Sequence, residues 1–551
     1  MPSPKTPAVV SSLLSPSRER HRLLVLAVGS LLIFAAGIGM RALWNPNEPV
    51  YGEGVREMLV RHDYYLPYVN GAIYSDKPIL YFWIMIFSTW IAGGLSEAAL
   101  RLPSVLSGVL SVVLVYRLGR RVFGIRAGFL AASCLATSVM FWWHSQYIQM
   151  DQILSFLILA ALSLFFIAHE TAAARRGILL AASGAAMGLA FLTKGPVGLL
   201  VPAGVMAVFL LLTGDWRRIS VKETAWMAVF FVLLAAPWYV SLAFTGHGAV
   251  LTDFFIRHNL ERATDPFNHA RPFWYYLPRL FSDLFPWSLF LPAALFAPSR
   301  NELERKGRLF ALLWLAVVFL LFSAAGSKRG VYLLPLYPAA ALLVGKYWDE
   351  ILSGDVAGTL RRWARGGLLF LAVFLLLAGV SPFLLALWRG PYRSEALRLL
   401  AVGGTALAGA AAIHVFLRRG RIGAALVAVT LTFAGVYLYA DLVLLRAADR
   451  FKSPVPFCRQ VDKWVGKDDE IHSHGLWRWD SSYLFYTGRL MPQIHSLGEV
   501  DAYLRQGRPV FLLVESDEMD QFLSGLKVPV RVLVRQDIGH RTTALLTNRR
   551  A

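Results

Sequence analysis

The stretch GLLFLAVFLLLAGVSPFLLAL at positions 367–387 contains no charged side chain and is long enough to cross a bilayer as a helix. Similar apolar runs recur on both sides of it. They lie near 23–43, 102–118, 127–145, 152–168, 177–193, 197–213, 225–243, 284–298, 309–326, 332–346, 397–416 and 422–445. The pattern predicts an all-α polytopic membrane protein with about thirteen transmembrane helices.

Composition agrees with this interpretation. The chain has 551 residues, of which 56% are hydrophobic and 16% are charged. A soluble protein would carry nearer a quarter charged residues. The formal net charge is +20, but the Lys and Arg residues lie in short loops between apolar runs. Membrane topology and anionic membrane lipid explain that charge, and we predict no nucleic-acid partner.

The basic loops set the predicted orientation, because Lys and Arg collect on the cytoplasmic side. They are Arg117–Arg121, Arg175–Arg176, Arg217–Arg218, Arg300–Arg308, Arg361–Arg365 and Arg418–Arg421. With these loops inside, the long loops 44–101 and 244–283 lie outside, and the aromatic stretch 79–95 either lies at the outer interface or re-enters the membrane without crossing it. We expect a transmembrane domain over 1–446 whose long loops lie on the outer side of the membrane.

The tail 447–551 differs from the rest of the chain. Strand-like runs occur at 510–515, 528–534 and 542–547, separated by polar segments compatible with helices. The tail therefore reads as a small soluble α/β domain outside the membrane.

Charged residues in the first outer loop are candidates for chemistry. Glu53 and Glu57 are one helical turn apart and share a face, so they could act as bases or hold a cation. A solvated surface helix explains the same pattern. Lys77, in YSDKP at 74–78, could bind a phosphate or extend its charge to the interface.

Three further charged positions stand beside apolar runs. Asp151 is a carboxylate near membrane depth, which is costly and usually functional or paired, although a helix-start residue is the alternative. Lys194 and the pair Lys328–Arg329 fall on the predicted outer side and break the inside bias. That break suggests an anionic ligand outside, such as a polyprenyl phosphate. The alternative is that the positive-inside rule is only a statistical tendency and that outer Lys residues do occur without a ligand.

The second outer loop contains one candidate metal ligand. His258 could bind a divalent metal together with Asp76, but one His and one carboxylate make a weak signal, and the sequence requires no cofactor.

Seven motifs together resemble the bacterial protein-mannosyltransferase-like family, whose relatives include the aminoarabinose transferases that modify lipid A. They are NEPVYGEGVREML (47–59), SDKPILYFW (75–83), RLPSVLSGVL (101–110), QMDQ (149–152), FLTKGP (191–196), FFIRHNLERAT (254–264) and GVYLLPLYPAAALL (330–343). The resemblance implies a C-type glycosyltransferase fold. It also implies an integral-membrane glycosyltransferase that moves a sugar from a polyprenyl-phosphate donor to a lipid, glycan or protein acceptor. The resemblance places such an enzyme in a bacterial inner membrane, with its active site on the outer side.

The resemblance also implies roles for individual residues. Asp151 matches a functional carboxylate of the family, and Glu48 is the other candidate base. Asn47 stands where relatives carry Asp, and Val50 where they carry Arg. An amide is no general base, so Asn47 marks either an altered mechanism or an inert relative.

The remaining implied roles concern ligands. Lys77, Lys194, Arg329 and Tyr332 are expected at the donor phosphate. Tyr51, Glu53, Asn259 and Arg262 are expected at the substrate, and Asp76 and His258 at a metal. A transporter or flippase is the alternative from another class. It would need two related halves with broken helices, and no internal repeat is visible in the sequence.

Overall fold

The computed structural model of the protein describes residues 18–261, 271–354, 356, 358–387, 393–476 and 481–549. Of the predicted substrate residues, Arg262 and the side chain of Asn259 lie outside the described part. The chain forms two compact units. The first contains residues up to 36, 75–81 and 102–444, and the second contains 37–74, 82–101 and 445 onward.

Helices make up most of the described chain. Numbered in chain order, they are α1 (Glu19–Ala35), α2 (Asn47–Arg61), α3 (Leu80–Ile91), α4 (Glu97–Phe123), α5 (Ile125–Ala136), α6 (Val139–Ser145), α7 (Met150–His169), α8 (Ala173–Lys194), α9 (Val197–Thr213), α10 (Val221–Phe244), α11 (Gly248–Thr252), α12 (Tyr276–Asp283), α13 (Leu291–Ala294), α14 (Glu302–Ala324), α15 (Tyr337–Ser353), α16 (Gly358–Leu387), α17 (Arg393–Arg418), α18 (Ile422–Tyr439), α19 (Leu445–Lys452), α20 (Val455–Trp464), α21 (Ser482–Thr487), α22 (Leu497–Leu504) and α23 (Met519–Gly525). Short 3-10 or π turns cover Asp215–Arg218, Asp253–Glu261, Phe273–Tyr275, Trp287–Phe290, Gly330–Leu336 and Ala440–Leu444.

In the described part of the chain, eight helices are long and apolar enough to cross a membrane. The pair α5 and α6, bent by 65° at its break, makes a ninth candidate. The protein is therefore a multi-pass membrane protein with a mostly helical fold, as predicted, while the figure of about thirteen spans stays a prediction.

Two predicted segments take a particular form. The run 284–298 is not one helix, because Pro286 and Pro292 interrupt it and only the turn Trp287–Phe290 and the short α13 form there. Helix α3 has 12 residues, which is roughly 18 Å and shorter than the hydrocarbon core. That length supports the prediction that 79–95 does not cross.

Close helix packing in the first unit depends on small residues. A Cβ atom added at Gly184 of α8 would lie 2.0 Å from the backbone oxygen of Met227 on α10. Only glycine allows the two backbones to approach this closely, as is common between membrane helices. Helix α7 lies deep within the same unit, where 78% of its apolar 18-residue stretch is buried.

The second unit contains a five-stranded sheet. Its strands are β3 (Ile471–His474), β4 (Gln493–Ile494), β5 (Phe511–Ser516), β6 (Arg531–Ile538) and β7 (Arg541–Thr547), and a separate hairpin pairs β1 (Tyr68–Val69) with β2 (Ala72–Ile73). The order is β4-β3-β5-β7-β6, with β3 parallel to β4 and β5 and the other pairs antiparallel. Leu512 and Leu546 pack in one core with Val500 and Leu504 of α22. The predicted small α/β domain is confirmed.

Candidate active site

Two helix ends in the first unit bring opposite charges together. Asp151 lies in the first turn of α7, and Lys194 is the last residue of α8, which stops at Gly195 because that residue adopts φ of 80°. The Lys194 ammonium forms an ion pair with Asp151 Oδ1, and the two side chains are only 14% and 5% exposed. Each charge also lies at the helix end whose dipole favours it.

An aromatic ring completes the environment of Lys194. Its Nζ atom lies 4.4 Å from the ring centroid of Tyr332, a cation–π distance. Tyr332 belongs to the 3-10 turn Gly330–Leu336, which Tyr276 anchors by donating a hydrogen bond of 3.1 Å to the carbonyl of Arg329. Burial raises the pKa of Tyr276, so its hydroxyl stays a donor.

Further charges surround this turn. A Cβ atom at Gly330 would meet the Arg279 guanidinium at 2.5 Å, so that guanidinium lies directly against the glycine backbone. The buried imidazole of His144 on α6 interacts electrostatically with the charged groups of Asp151, Lys194, Arg329 and Arg279. We call Asp151, Lys194, Arg329, Tyr332 and Tyr276 the Lys194 cluster. It combines cations, a carboxylate and hydroxyl groups at the ends of buried helices, which suits a phosphate ligand.

Asp76 and His258 also meet in the first unit. His258 Nε2 lies 2.9 Å from Asp76 Oδ1 and 3.5 Å from Asp253 Oδ2, and Ser75 donates a hydrogen bond to Asp253. Within the described ranges, no group of three or more His, Cys, Asp or Glu side chains could hold a metal ion. Two atoms 2.9 Å apart can share a hydrogen bond, and they can equally well both bind one cation that lies about 2 Å from each, so the contact is compatible with either arrangement.

The second unit holds the other predicted acid. Glu48 is fully buried at the start of α2, where Arg41 Nη1 lies 2.6 Å from Oε2 and Arg101 donates to both oxygens at 2.8 Å. The Trp44 amide donates a further bond of 3.0 Å. Burial alone would raise the pKa of Glu48, but the charges of Arg101 and Arg41 outweigh it and lower the pKa to about 2.

The other predicted residues of α2 differ in their surroundings. Asn47 is half-buried at the first position of the helix, beside Glu48. Tyr51 is buried and packs its ring edge against Phe82. Glu53 is buried, and both of its oxygens accept bonds of 2.7 Å from Arg56. Burial raises the pKa of Glu53 although Arg56 counteracts it.

Glu57 repeats the arrangement one turn later. It pairs with Arg61 and accepts from the Gly71 amide. The expected pair of available carboxylates on one face of α2 is therefore absent, because Glu53 and Glu57 are each bound to an arginine.

The structure brings together three of the predicted residues by direct contact, Asp151, Lys194 and Tyr332, and places Arg329 on the same turn as Tyr332. Lys77 is half-buried and follows Asp76 directly. Sequence reasoning missed Tyr276, His144 and Arg279. The aromatic run 273–276 contained a signal for Tyr276, but nothing distinguished it from an interface belt. His144 and Arg279 gave no signal, because their partners come from distant parts of the chain.

Comparison with known proteins shows which proteins the chain is similar to. A sequence profile of the family described as dolichyl-phosphate-mannose-protein mannosyltransferase matches residues 76–240. The undecaprenyl phosphate-alpha-4-amino-4-deoxy-L-arabinose arabinosyl transferase of Edwardsiella ictaluri is 32% identical over 367 residues, or 66% of this chain and 64% of that protein. The protein of the same name from Erwinia tasmaniensis is 32% identical over 63% of this chain and 64% of its own length. The chain thus spans about 64% of the length of these relatives.

Solved structures show the same fold. ArnT from Cupriavidus metallidurans, crystallised with undecaprenyl phosphate, superposes with a TM-score of 0.80 at 21% identity, covering 97% of this chain and 99% of that one. The apo oligosaccharyltransferase of Archaeoglobus fulgidus gives 0.52 at 15% identity, over 92% of this chain and 71% of that one. The fold is the C-type glycosyltransferase fold. These matches confirm the resemblance to the protein-mannosyltransferase-like and aminoarabinose-transferase-like family that the motifs predicted.

Proposed function

We propose that this protein transfers a sugar from a polyprenyl-phosphate donor to a hydroxyl or phosphate acceptor on a lipid, glycan or protein, on the outer face of a bacterial inner membrane. One observation carries the proposal, the Lys194 cluster. Its ammonium, guanidinium and hydroxyl groups suit a phosphate, and two similar proteins are named for an undecaprenyl-phosphate-linked sugar. The apolar helices around the cluster suit the polyprenyl tail of the donor.

The ion pair supplies a way to couple donor binding to catalysis. Without donor, Asp151 neutralises Lys194. A donor phosphate is an anion that competes for the same ammonium, and Arg329 on the neighbouring turn adds a second cation for it. When the phosphate binds Lys194, the Asp151 carboxylate is released from its partner beside the reacting centre. The Asp151 carboxylate is then available to the acceptor only when the donor is bound.

The transfer itself follows from these positions. The acceptor oxygen attacks the anomeric carbon, and a new carbon–oxygen bond forms as the bond to the donor phosphate breaks. The electron pair stays on the departing polyprenyl phosphate, whose charge Lys194 and Arg329 stabilise. A hydroxyl acceptor gives its proton to Asp151. An acceptor that is already a phosphate needs no base, and Asp151 then orients it.

Glu48 has a different proposed role. A carboxylate with a pKa of about 2 and arginines on both oxygens is a poor base at neutral pH. We propose that Glu48 fixes the start of α2 and thereby positions Asn47. The proposed steps do not involve Asp76 and His258, which lie in contact with each other. A divalent metal there stays a prediction.

Product formation tests the proposed function. Purified protein is mixed with undecaprenyl phosphate carrying a radiolabelled sugar and with a membrane extract from a deletion strain, and labelled products are identified by mass spectrometry. Label transfer to lipid, glycan or protein supports the proposal. If the donor is bound but never consumed across acceptor classes, the protein is an inert binding relative. If the intact donor crosses the bilayer of a proteoliposome, it is a transporter.

A further inference from the structure

A large cavity lies in the first unit, among helices that the proposed reaction does not use. Its volume is about 1010 Å³, and α1, α5 and α18 supply most of its wall. The wall is apolar, with Leu26, Ile33, Leu130 and Leu426 among its side chains. It follows α18 from Ile422 to Leu438, which is roughly 25 Å. A cavity of this length and chemistry suits hydrocarbon chains.

The rim of the cavity faces lipid. Val25 and Leu32 of α1 are 46% and 59% exposed, and Leu431 of α18 is 66% exposed. These apolar side chains line the cavity and are also open to its surroundings, which along α18, one of the candidate membrane spans, are acyl chains. A lipid can therefore enter sideways from the bilayer.

One end of the cavity is basic. Arg126, Arg361, Arg365 and Arg421 all contribute to its lining. Arg126 is already bound, since its Nε atom lies 2.5 Å from Asp349 Oδ1. For Arg361, Arg365 and Arg421, the described residues provide no carboxylate partner. Three guanidinium groups that have no carboxylate partner among the described residues therefore stand at one end of an apolar cavity, and this combination suits an anionic headgroup.

We propose that this cavity binds an anionic membrane phospholipid, with its phosphate on Arg361, Arg365 and Arg421 and an acyl chain along α1, α5 and α18. Basic pockets between membrane helices bind such headgroups on the cytoplasmic side, and the three arginines belong to the loops predicted to be cytoplasmic. The site is separate from the Lys194 cluster. Arg126 stands at the start of the bent pair α5 and α6, whereas Asp151 follows that pair, beyond its other end.

Lipid retention by the purified full-length protein tests the proposal. The protein in detergent is titrated with dioleoyl phosphatidylglycerol or dioleoyl phosphatidylcholine, and bound lipid is counted by native mass spectrometry. The wild type should retain phosphatidylglycerol in preference. The triple variant Arg361→Gln, Arg365→Gln and Arg421→Gln should lose about a hundredfold in that affinity, since each arginine near an anionic headgroup contributes roughly fivefold. The control triple variant Arg362→Gln, Arg418→Gln and Arg419→Gln removes equal charge outside the cavity and should bind as the wild type does.

A second pair of variants keeps every charge. A Cβ atom at Gly29, which lines the cavity, meets nothing within 4 Å, so Gly29→Phe fills the space for the acyl chain. Gly404 on α17 is equally open but outside the cavity, and Gly404→Phe is the control. Gly29→Phe should abolish retention, and it decides the question alone if the arginine variant does not fold. Equal retention of both lipids by the wild type, or unchanged retention by Gly29→Phe, would overturn the proposal. So would displacement of phosphatidylglycerol by equimolar undecaprenyl phosphate.

Discussion

The ammonium of Lys194 is ion-paired with the carboxylate of Asp151, at the point where the end of α8 meets the start of α7. Both side chains are largely buried, so removing either one leaves an uncompensated charge in a weakly polar environment. A ligand phosphate can replace the carboxylate at Lys194, and Arg329 close by in the chain supplies a second cation for the added negative charge. The pair therefore links the two predicted functions, phosphate binding and proton transfer.

Loss of the cations that are predicted to bind the donor phosphate should impair donor use. We expect Lys194→Ala and Lys77→Ala each to lower turnover roughly tenfold or more, because a hydrogen bond to a charged group contributes about 1.5–3 kcal/mol. Turnover of labelled donor by the purified variants measures this effect. Lys222→Ala, at an exposed position on α10, is the control. Wild-type turnover by both variants would show that no phosphate binds at these lysines.

The choice of base is tested at three positions. Asp151→Asn should lower turnover with a hydroxyl acceptor by roughly a hundredfold or more, the usual contribution of a general base. Asn47→Asp decides what the natural amide means, since a large gain in rate indicates a lost acid and a fall indicates adaptation to another acceptor. If Asp151→Asn and a folded Glu48→Gln variant both keep the full rate, neither carboxylate is the base.

Acid should destabilise the protein through Glu48. Its folded pKa of about 2 is below the ordinary value of 4.5. A depressed pKa stabilises the fold above the unfolded pKa, and this contribution is lost as the pH falls from about 5 toward 2. The shift corresponds to about 3 kcal/mol. Thermal unfolding in detergent from pH 7 to pH 3 should show the loss.

The matched variants isolate that carboxylate. Glu48→Gln should lower stability at pH 7 by roughly 3–5 kcal/mol, because Arg41 and Arg101 lose their buried partner, and its pH dependence should flatten. Glu302→Gln removes an exposed carboxylate paired with Arg305 and should change neither quantity. An unchanged pH profile in Glu48→Gln would assign the acid sensitivity to other groups.

Reporter fusions test the orientation. A reporter after Gly124, between α4 and α5, should indicate the cytoplasm, and one after Ala447 should indicate the outer compartment. The reason is the charge of the loop Arg117–Arg121 and the positive-inside rule. An outer signal after Gly124 would reverse the proposed topology, including the side on which the active site lies.

Periodic features of the fold could be predicted from the sequence, whereas its polar contacts could not. Long apolar runs must become helices in lipid, so α7, α8 and α16 were predictable from hydropathy alone. The tail strands followed from local pattern. By contrast, the bond from Arg101 to Glu48 joins segments 53 positions apart, and no local rule indicates it. The sequence did not show that the Glu53 and Glu57 carboxylates are each bound to an arginine. Glutamates and arginines on one helix are equally typical of a solvated surface helix, whose side chains need not pair.

In the candidate site as well, individual charges could be predicted from the sequence, whereas their contacts could not. Asp151 and Lys194 were suspected separately, each as a charge beside an apolar run. Their pairing depends on the antiparallel packing of α7 and α8, which places a helix start beside a helix end. Tyr276 and Arg279 join the site through the turn that begins at Gly330, some 50 positions later in the chain, and only the fold shows this.

The most direct test of the exchange between carboxylate and phosphate is the affinity of undecaprenyl phosphate for the Asp151→Asn variant, compared with Lys194→Ala and the wild type. If the donor phosphate replaces Asp151 at Lys194, removal of the carboxylate eliminates a competitor. Asp151→Asn should then bind undecaprenyl phosphate at least as tightly as the wild type while turnover of a hydroxyl acceptor falls, and Lys194→Ala should bind it more weakly. Weaker binding by a folded Asp151→Asn variant, to the same extent as by Lys194→Ala, would contradict the account.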